Sequence, residues 1–360
     1  MKRFIKNIFL FFLPVFLFCA ATIPFYLAAV NCGEFKDIEE NIETQRKNPN
    51  VLIGLGYNEQ TTYYKLVNAN YYQAEVIALG SSRVMQFKEE FFKSSFYNCG
   101  GAVNWNYDEY VNFLENLTYK PKVIILGVDQ WVFNNEWNRN RKKYSSFASI
   151  KKIDRNKASM LKQIIKDWSQ NKWSFSSLNL YKKNIGFNGC IKNDGFMLDG
   201  SYYYGEIYRR PEERRDYQFS NSFERMKKGD SPFVWGQEIE IETIKQLTSL
   251  LQYCVKHNIY VIGFLPPFAP SVCKRMKDSG NYSYIDKIPA SCKEIFDAYG
   301  YECYNYTNNE GLTVIDDNFI DGFHGSDIVY GKILNNMIKH KSRINLYLDT
   351  MKVNSLINKS

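Results

Sequence analysis

The chain has 360 residues, of which 45% are hydrophobic and 23% are charged. This balance excludes a disordered chain and predicts one large or two modest domains with a substantial buried core. The net charge of +8 does not by itself indicate nucleic-acid binding. None of the eight cysteines forms a CxxC pair, so no zinc or thioredoxin-like site is predicted, and no metal or other cofactor is expected.

The N-terminus has the pattern of a membrane segment. Lys2, Arg3 and Lys6 precede an uncharged run, Ile8 to Val30. At about 1.5 Å per residue a helix of this length crosses a hydrocarbon core of roughly 30 Å. Residues 1–33 are therefore predicted to anchor the protein in the cell membrane by a single pass, and the basic flank favours an extracytoplasmic body. A cleaved signal peptide, cut near Ala28-Ala29, is the alternative.

The segment after the anchor is predicted to be a linker or stalk, residues 34–70, with a short helix. Residues 71–137 then alternate between apolar strands and amphipathic helices. The predicted strands are 76–79, 96–99 and 123–128, and the predicted helices are 83–92 and 107–117. Continuous apolar strands alternating with helices are typical of a parallel sheet that is covered on both faces. The fold class is therefore α/β, in three layers.

The alternation stops over residues 138–236, which are rich in basic residues and contain one clear helical pattern at 160–168. This stretch is interpreted as a large, mainly helical or irregular insertion that caps the sheet. It either supplies specificity or partner contacts, or is a solvated elaboration. The alternation resumes over 237–345 and is followed by a polar tail, 346–360. The second half has helices at 237–257, 288–299 and 327–338, and strands at 259–265 and 302–306.

Two short motifs carry the candidate chemistry. Gly80-Ser81-Ser82 follows the first strand at the carboxyl edge, where parallel sheets place ligands and where N–H groups can meet negative charge. By itself it also fits an N-cap turn. Asp321 precedes His324 by three residues in a glycine-containing loop, so the carboxylate can orient the imidazole towards a serine proton. A plain surface loop is the alternative.

The other two histidines, His257 and His340, lie at predicted helix C-termini, where a cation suits the helix dipole. They are expected to act as caps. Among the cysteines, Cys273 is the nearest in sequence to a disulfide partner, either Cys292 or Cys303, in an oxidising compartment.

Taken in order, these motifs resemble the blocks of the SGNH/GDSL hydrolase superfamily, a three-layer α/β fold with a flavodoxin-like parallel sheet. Gly80-Ser81-Ser82 resembles the first block, which implies Ser82 as the nucleophile and places Ser81 in the aspartate position. Asn98-Cys99-Gly100 resembles the block whose glycine N–H enters the oxyanion hole, which implies Gly100, with Gly101 as the alternative. Asp321 and His324 match the last block and complete the implied catalytic triad.

The third block departs from the family pattern. It reads Gly127-Val128-Asp129-Gln130, where the family usually has an asparagine that donates to the oxyanion. An ionised Asp129 cannot donate, whereas the Gln130 amide can. The Gln-Trp pair is similar to the DltD-like branch, whose members are anchored in the membrane and act with membrane-bound O-acyltransferases on envelope polymers.

The resemblance implies a serine acyl-transfer enzyme that acts on the O-acyl groups of a cell-surface polysaccharide. The implied partners are the acylated glycan, the membrane and a membrane-bound O-acyltransferase, with no nucleic acid. Two alternatives remain open. One is a glycan or lipid carboxylesterase with water as the acceptor. The other is an inactive scaffold that binds a polymer or an acyltransferase partner.

Overall fold

The computed structural model describes residues 1–103, 106–139, 149–181, 183–205, 212 and 216–357. The helices are α1 (Lys2–Asn31), α2 (Ile38–Lys47), α3 (Thr61–Tyr72), α4 (Tyr107–Glu115), α5 (Asn135–Arg139), α6 (Lys157–Ser169), α7 (Phe187–Lys192), α8 (Ser220–Lys228), α9 (Ile241–Lys256), α10 (Pro270–Ser279), α11 (Tyr284–Ala298), α12 (Asp327–Lys339) and α13 (Thr350–Ile357). The strands are β1 (Val76–Leu79), β2 (Phe96–Asn98), β3 (Val123–Gly127), β4 (Gly195–Phe196), β5 (Tyr202–Tyr203), β6 (Tyr260–Leu265) and β7 (Glu302–Asn305).

The chain divides into two compact units. Unit 1 comprises Met1–Gln60 and Lys152–Leu198, and unit 2 comprises Thr61–Lys151 and Asp199–Ser360. The segment expected to form one insertion, 138–236, is therefore divided, since residues 152–198 belong to unit 1 and the residues on either side of them belong to unit 2.

Unit 2 is built on a five-stranded sheet in the order β2-β1-β3-β6-β7, with every neighbouring pair parallel. In the register of the sheet, Ile77 lies beside Tyr97 on one side and Ile124 on the other. The carboxyl ends of the strands therefore meet at one edge, and the strand order reverses between β1 and β3. Open α/β sheets bind their ligands at this kind of switch point.

The expected strands and the parallel α/β sheet are confirmed. Every residue of β1, β2 and β3 is buried, so both faces of the central strands are covered. Around the sheet, α4 packs on α9, α11 on β7, and α12 on α13. The C-terminal residues are thus part of the fold. Val353 of α13 is buried, whereas a polar tail was expected.

The helix expected over residues 83–92 is wrong. The segment forms two separate 3₁₀ turns, Ser82–Val84 and Glu89–Phe91. The amide of Asn98 donates to the carbonyls of Val84 and Phe87, at 2.9 and 2.8 Å. A side chain from β2 therefore satisfies the Phe87 carbonyl and shares the Val84 carbonyl with the Phe87 N–H, in place of a continued helix.

Unit 1 contains α1, which is the one helix in the described ranges long and apolar enough to cross a membrane. This confirms the expected long apolar N-terminal helix. The last turns of α1 pack against α6, in a core that also includes Trp173 and Phe187. The Glu34 carboxylate is fully buried and accepts N–H groups from Gly56, Tyr57, Asn58 and Phe187.

Residues 34–60 of the expected stalk are instead part of this folded unit, and residues 61–70 belong to unit 2. In α2, Ile38, Asn41, Ile42 and Gln45 are buried, and the Gln45 amide donates to the carbonyls of Val51 and Phe196. A side chain that joins segments so distant in sequence belongs to a packed domain.

The eight cysteines are free thiols. Cys292, which is buried, hydrogen-bonds to Cys303. The Cys273 sulfur instead lies 3.6 Å from the Thr307 carbonyl oxygen. Cys273 therefore does not form the disulfide that its sequence position suggested.

Candidate active site

The turn that carries the two serines is fixed by close packing at the ends of three strands. Val84, the last residue of the turn, fills a space left by three glycines. A Cβ atom at Gly80, Gly100 or Gly127 would lie 2.8, 2.7 or 2.4 Å from a Val84 methyl carbon. Glycine at these strand ends therefore lets the Ser82–Val84 turn approach the sheet edge closely.

Ser82, His324 and Asp321 form a continuous hydrogen-bonded chain. The Ser82 Oγ lies 2.8 Å from His324 Nε2, and His324 Nδ1 lies 2.8 Å from Asp321 Oδ2. Ser82 comes from the end of β1, and the other two residues come from the loop before α12. The structure thus brings together three side chains from distant parts of the sequence, since Ser82 and His324 are 242 positions apart.

The Asp321 loop is held by its own backbone. Asp321 Oδ1 accepts the N–H groups of Phe323 and His324, at 3.0 and 2.8 Å, and the Ile320 N–H donates to the His324 carbonyl. Burial alone would raise the pKa of Asp321, but the His324 imidazole and these N–H groups hold it below its usual range. The carboxylate is therefore ionised at neutral pH and fixes the imidazole with its Nδ1–H towards Asp321.

The neighbouring serine has different partners. The Ser81 hydroxyl accepts the Arg83 N–H at 3.2 Å and helps to lower the pKa of the neighbouring Asp129 carboxyl. Ser81 is buried, whereas Ser82 is partly exposed. Only Ser82 combines access to solvent with a histidine partner.

The expected oxyanion donors are largely engaged elsewhere. The Gly100 N–H donates to Asn98 Oδ1 at 2.7 Å, and the Gly101 N–H donates to the Gly80 carbonyl at 2.9 Å. Neither N–H is free, so the expectation that Gly100, or Gly101 in its place, donates to an oxyanion is not supported.

Gln130 is also occupied. Its amide nitrogen donates to the Pro266 carbonyl and to Thr307 Oγ1, each at 2.8 Å, which uses both hydrogens. Its Oε1 accepts from Arg83 at 2.6 Å. The Gln130 side chain, which is fully buried, thus joins the loops after β6 and β7, with both of its amide hydrogens engaged within the protein.

The third expected oxyanion donor is the backbone N–H of Ser82. It begins the 3₁₀ turn, where the first N–H groups have no partner within the turn itself. Within the described part of the chain it makes no hydrogen bond. Ser82 is therefore the one expected oxyanion donor whose N–H is free.

Arg83 is the residue that the sequence analysis missed. Its guanidinium is buried and lies between the rings of Trp131 and Phe268, 5.0 and 4.6 Å from their centroids. A guanidinium has five N–H groups, and five acceptors surround this one. They are Phe323 O at 3.0 Å, Gln130 Oε1 at 2.6 Å, Asp129 Oδ1 at 3.5 Å, Pro266 O at 2.8 Å and Pro267 O at 2.6 Å.

These contacts connect the ends of β1, β3 and β6 to the residue before His324. The only signal in the sequence was an arginine directly after the two serines at a strand end. Since all five N–H groups are used, Arg83 positions the loops and has no donor left for a substrate.

Asp129 is the acidic partner of this buried arginine. Burial raises the pKa of Asp129, and the raise is opposed by Arg83, by the Ser81 hydroxyl and by His324. The carboxylate is only 3% exposed and is engaged on both sides, by Ser81 and Arg83. In this sequence, therefore, the position that the family resemblance assigns to an oxyanion donor holds half of an ion pair.

Aromatic rings flank the His324 imidazole. Phe323 lies 4.3 Å and Tyr204 6.3 Å from the His324 ring, measured between centroids. Tyr204 belongs to the segment expected to be an insertion, so that segment does contribute a ring beside the site. His257 and His340 are the C-caps of α9 and α12, which confirms their expected positions.

No group of three His, Cys, Asp or Glu side chains suited to a metal ion occurs within the described ranges. The chain matches no known protein-family model and no curated protein.

Proposed function

We propose that the protein is a membrane-anchored, extracytoplasmic serine acyl-transfer enzyme that moves O-acyl groups of a cell-surface polysaccharide. The observation that supports this most is the hydrogen-bonded chain from Ser82 through His324 to Asp321 at the switch point of the sheet. The order of the strands, the motifs and the site agree with the resemblance to the SGNH/GDSL superfamily and its DltD-like branch.

The proposed mechanism assigns one task to each side chain. His324 Nε2 takes the Ser82 proton as Oγ attacks the acyl carbonyl, and Asp321 stabilises the imidazolium through Nδ1–H. The Ser82 N–H stabilises the oxyanion. The imidazolium then protonates the leaving oxygen, and an acyl-Ser82 ester forms.

In the second half of the reaction, His324 removes a proton from the acceptor hydroxyl as that oxygen attacks the acyl-Ser82 ester. The bond from the acyl carbon to Ser82 Oγ then breaks, and the imidazolium returns the proton to Oγ. A sugar hydroxyl as acceptor gives O-acyl transfer, and water gives hydrolysis. Tyr204 and Phe323 place aromatic faces beside the imidazole, and aromatic faces stack on sugar rings, which favours a glycan as the bound polymer.

The inactive scaffold is the second candidate, and a specific observation favours it. Gly100 and Gln130, two of the three expected oxyanion donors, are engaged within the protein. Loss of one such donor commonly lowers kcat by about 10²–10³. A scaffold would bind the polymer or the membrane-bound O-acyltransferase without forming an acyl-enzyme.

The test compares cells that produce the wild type, Ser82→Ala, Ser81→Ala or no protein. The measured quantity is the acyl content released from the surface polysaccharide by mild base. For a transferase, Ser82→Ala lowers the acyl content to the level without the protein, whereas for an esterase it raises it. If the content changes without the protein but not in Ser82→Ala, the catalytic proposal is wrong and the scaffold is favoured.

A further inference from the structure

The end of the anchor helix is part of the core of unit 1. Phe25, Ala28, Ala29 and Cys32 are at most 8% exposed, while Tyr26 and Leu27 between them are about half exposed. Burial at intervals of three and four residues is the pattern of a helix with one packed face. That face meets Met160, Ile164 and Trp173 in the same hydrophobic cluster.

This packing argues against cleavage of α1 as a signal peptide. Cleavage near Ala28-Ala29 would remove Phe25 and leave its partners in α6 exposed to water. The three rings that contact Phe25 are Trp168 at 5.1 Å, Phe175 at 5.2 Å and Trp173 at 6.1 Å. A segment whose side chains complete a folded core is a retained structural element.

Phe25 with its partners Trp168 and Phe175, together with the adjacent Tyr26 on α1, is here called the aromatic collar. Trp168 and Phe175 are 41% and 42% exposed, although their rings lie against Phe25. The collar also lies at a defined height on the anchor. From Ile8 to Leu27 a helix rises about 30 Å, the thickness of the hydrocarbon core, so Tyr26 lies where the bilayer meets its headgroups.

The charge of the surrounding segment fits anionic headgroups. Residues 34–60 and 152–198 of unit 1 together contain twelve lysines and arginines against nine aspartates and glutamates, a net charge of +3. Basic residues near an anionic bilayer surface attract it, and tryptophan and tyrosine are enriched at that depth.

We propose that unit 1 is a membrane-interface module in which the retained helix α1 crosses the bilayer and the aromatic collar lies at headgroup level. The collar therefore binds lipid. The inference rests on the membrane anchorage within the proposed function and is independent of the proposed chemistry.

Retention is tested by the intact mass and N-terminal sequence of the full chain purified from membranes. We expect the mature chain to contain Phe25. A chain that begins at Ala29 or Val30 would overturn the proposal.

Lipid contact is tested with the full chain reconstituted into vesicles of equal parts phosphatidylethanolamine and phosphatidylglycerol. The vesicles carry a spin label near either the headgroup end or the methyl end of the acyl chains, and tryptophan emission is measured. Trp168→Phe is compared with Trp235→Phe, because Trp235 is 43% exposed but belongs to unit 2, where its indole donates to the Met226 carbonyl.

We expect the shallow label to quench the wild-type protein more than the deep label does. Trp168→Phe should remove more than half of this quenching, and Trp235→Phe should leave it unchanged. Adding Phe175→Trp to Trp168→Phe should restore it, which guards against an effect of misfolding. Equal quenching in both single variants, none in any protein, or no restoration would show that lipid does not cover the collar.

These outcomes are distinct from failure of the proposed chemistry. Phosphonate labelling of Ser82 in the same samples reports on the catalytic site alone. A labelled protein without shallow quenching would overturn the interface module only.

Discussion

Two polar clusters lie at the carboxyl edge of the sheet, and they use their hydrogen-bonding groups differently. In the first, Ser82, His324 and Asp321 are partly exposed and linked in a line. In the second, Arg83, Asp129 and Gln130 are buried, and the guanidinium and amide N–H groups all donate to acceptors inside the protein.

The difference separates chemistry from positioning. The first cluster can exchange a proton with a bound molecule because its hydroxyl is accessible and its histidine is oriented. The second uses its guanidinium and amide donors inside the protein, which suits it to holding loops in place. Ser81 and Ser82 are neighbours in sequence, yet they belong to different clusters.

The largest effect is expected within the first cluster. Asp321→Asn should lower the rate of acyl-Ser82 formation by about 10³–10⁴, because the amide cannot stabilise the imidazolium or fix its tautomer. The rate is measured as burst kinetics with a chromogenic acyl ester. Asp317→Asn, an exposed carboxylate of the same loop region, is the control and should react as the wild type does. Equal rates for both variants would exclude Asp321 from the triad.

The second cluster is expected to affect stability first. Arg83→Met leaves Asp129 buried without a cation, which should cost about 3–5 kcal/mol of unfolding free energy. Adding Asp129→Asn removes the uncompensated charge and should recover part of the loss. Urea unfolding of the full chain in detergent measures both. If Arg83→Met is as stable as the wild type, Arg83 does not hold the loops.

A change between the clusters should disturb the turn that carries both serines. Gly127→Ala places a Cβ 2.4 Å from a Val84 methyl carbon, so the turn must shift. Overpacking of this kind costs about 1–3 kcal/mol, and we expect slower phosphonate labelling as well. The double variant Gly127→Ala with Val84→Ala removes the clash and should label faster than the single variant. Slower labelling of the double variant would contradict this packing account.

A separate effect concerns a buried cation outside both clusters. Lys65 is fully buried, its Nζ donates to the carbonyls of Asn98 and Gly200, and burial lowers its pKa from 10.5 to about 7. Between these two values the unfolded chain binds more protons than the folded chain does. Its contribution to stability should therefore rise from about pH 7 to about pH 10.

The comparison is the unfolding free energy of the wild type minus that of Lys65→Met, measured by urea at both pH values. We expect this difference to increase with pH. The exposed Lys293→Met is the control and should show no such slope in this range. A flat difference for Lys65 would mean that its amine titrates near its ordinary pKa.

The first cluster could be predicted from the sequence, because its residues follow recognisable local patterns. A continuous apolar strand ends at Gly80, and the spacing of Asp321 and His324 is itself a motif. The parallel sheet could be predicted for the same reason, because its strands are continuous apolar runs such as Val123–Gly127.

The second cluster could not be predicted, because its partners are mostly backbone carbonyls. Arg83 reaches Pro266, Pro267 and Phe323, and no pattern in a sequence shows which carbonyls lack an N–H partner. The incorrect prediction of a helix over residues 83–92 has the same cause. The apolar spacing of Val84 and Phe87 was real, but Asn98 satisfies their carbonyls from another strand.

The central claim is that Ser82, and not Ser81, is the nucleophile. The most direct measurement is reaction of the full-length protein with a serine-directed phosphonate, followed by mass spectrometric mapping of the modified peptide. We predict modification on Ser82, with labelling retained in Ser81→Ala and lost in Ser82→Ala. Labelling that persists in Ser82→Ala, or no labelling of the folded wild-type protein, would contradict the account.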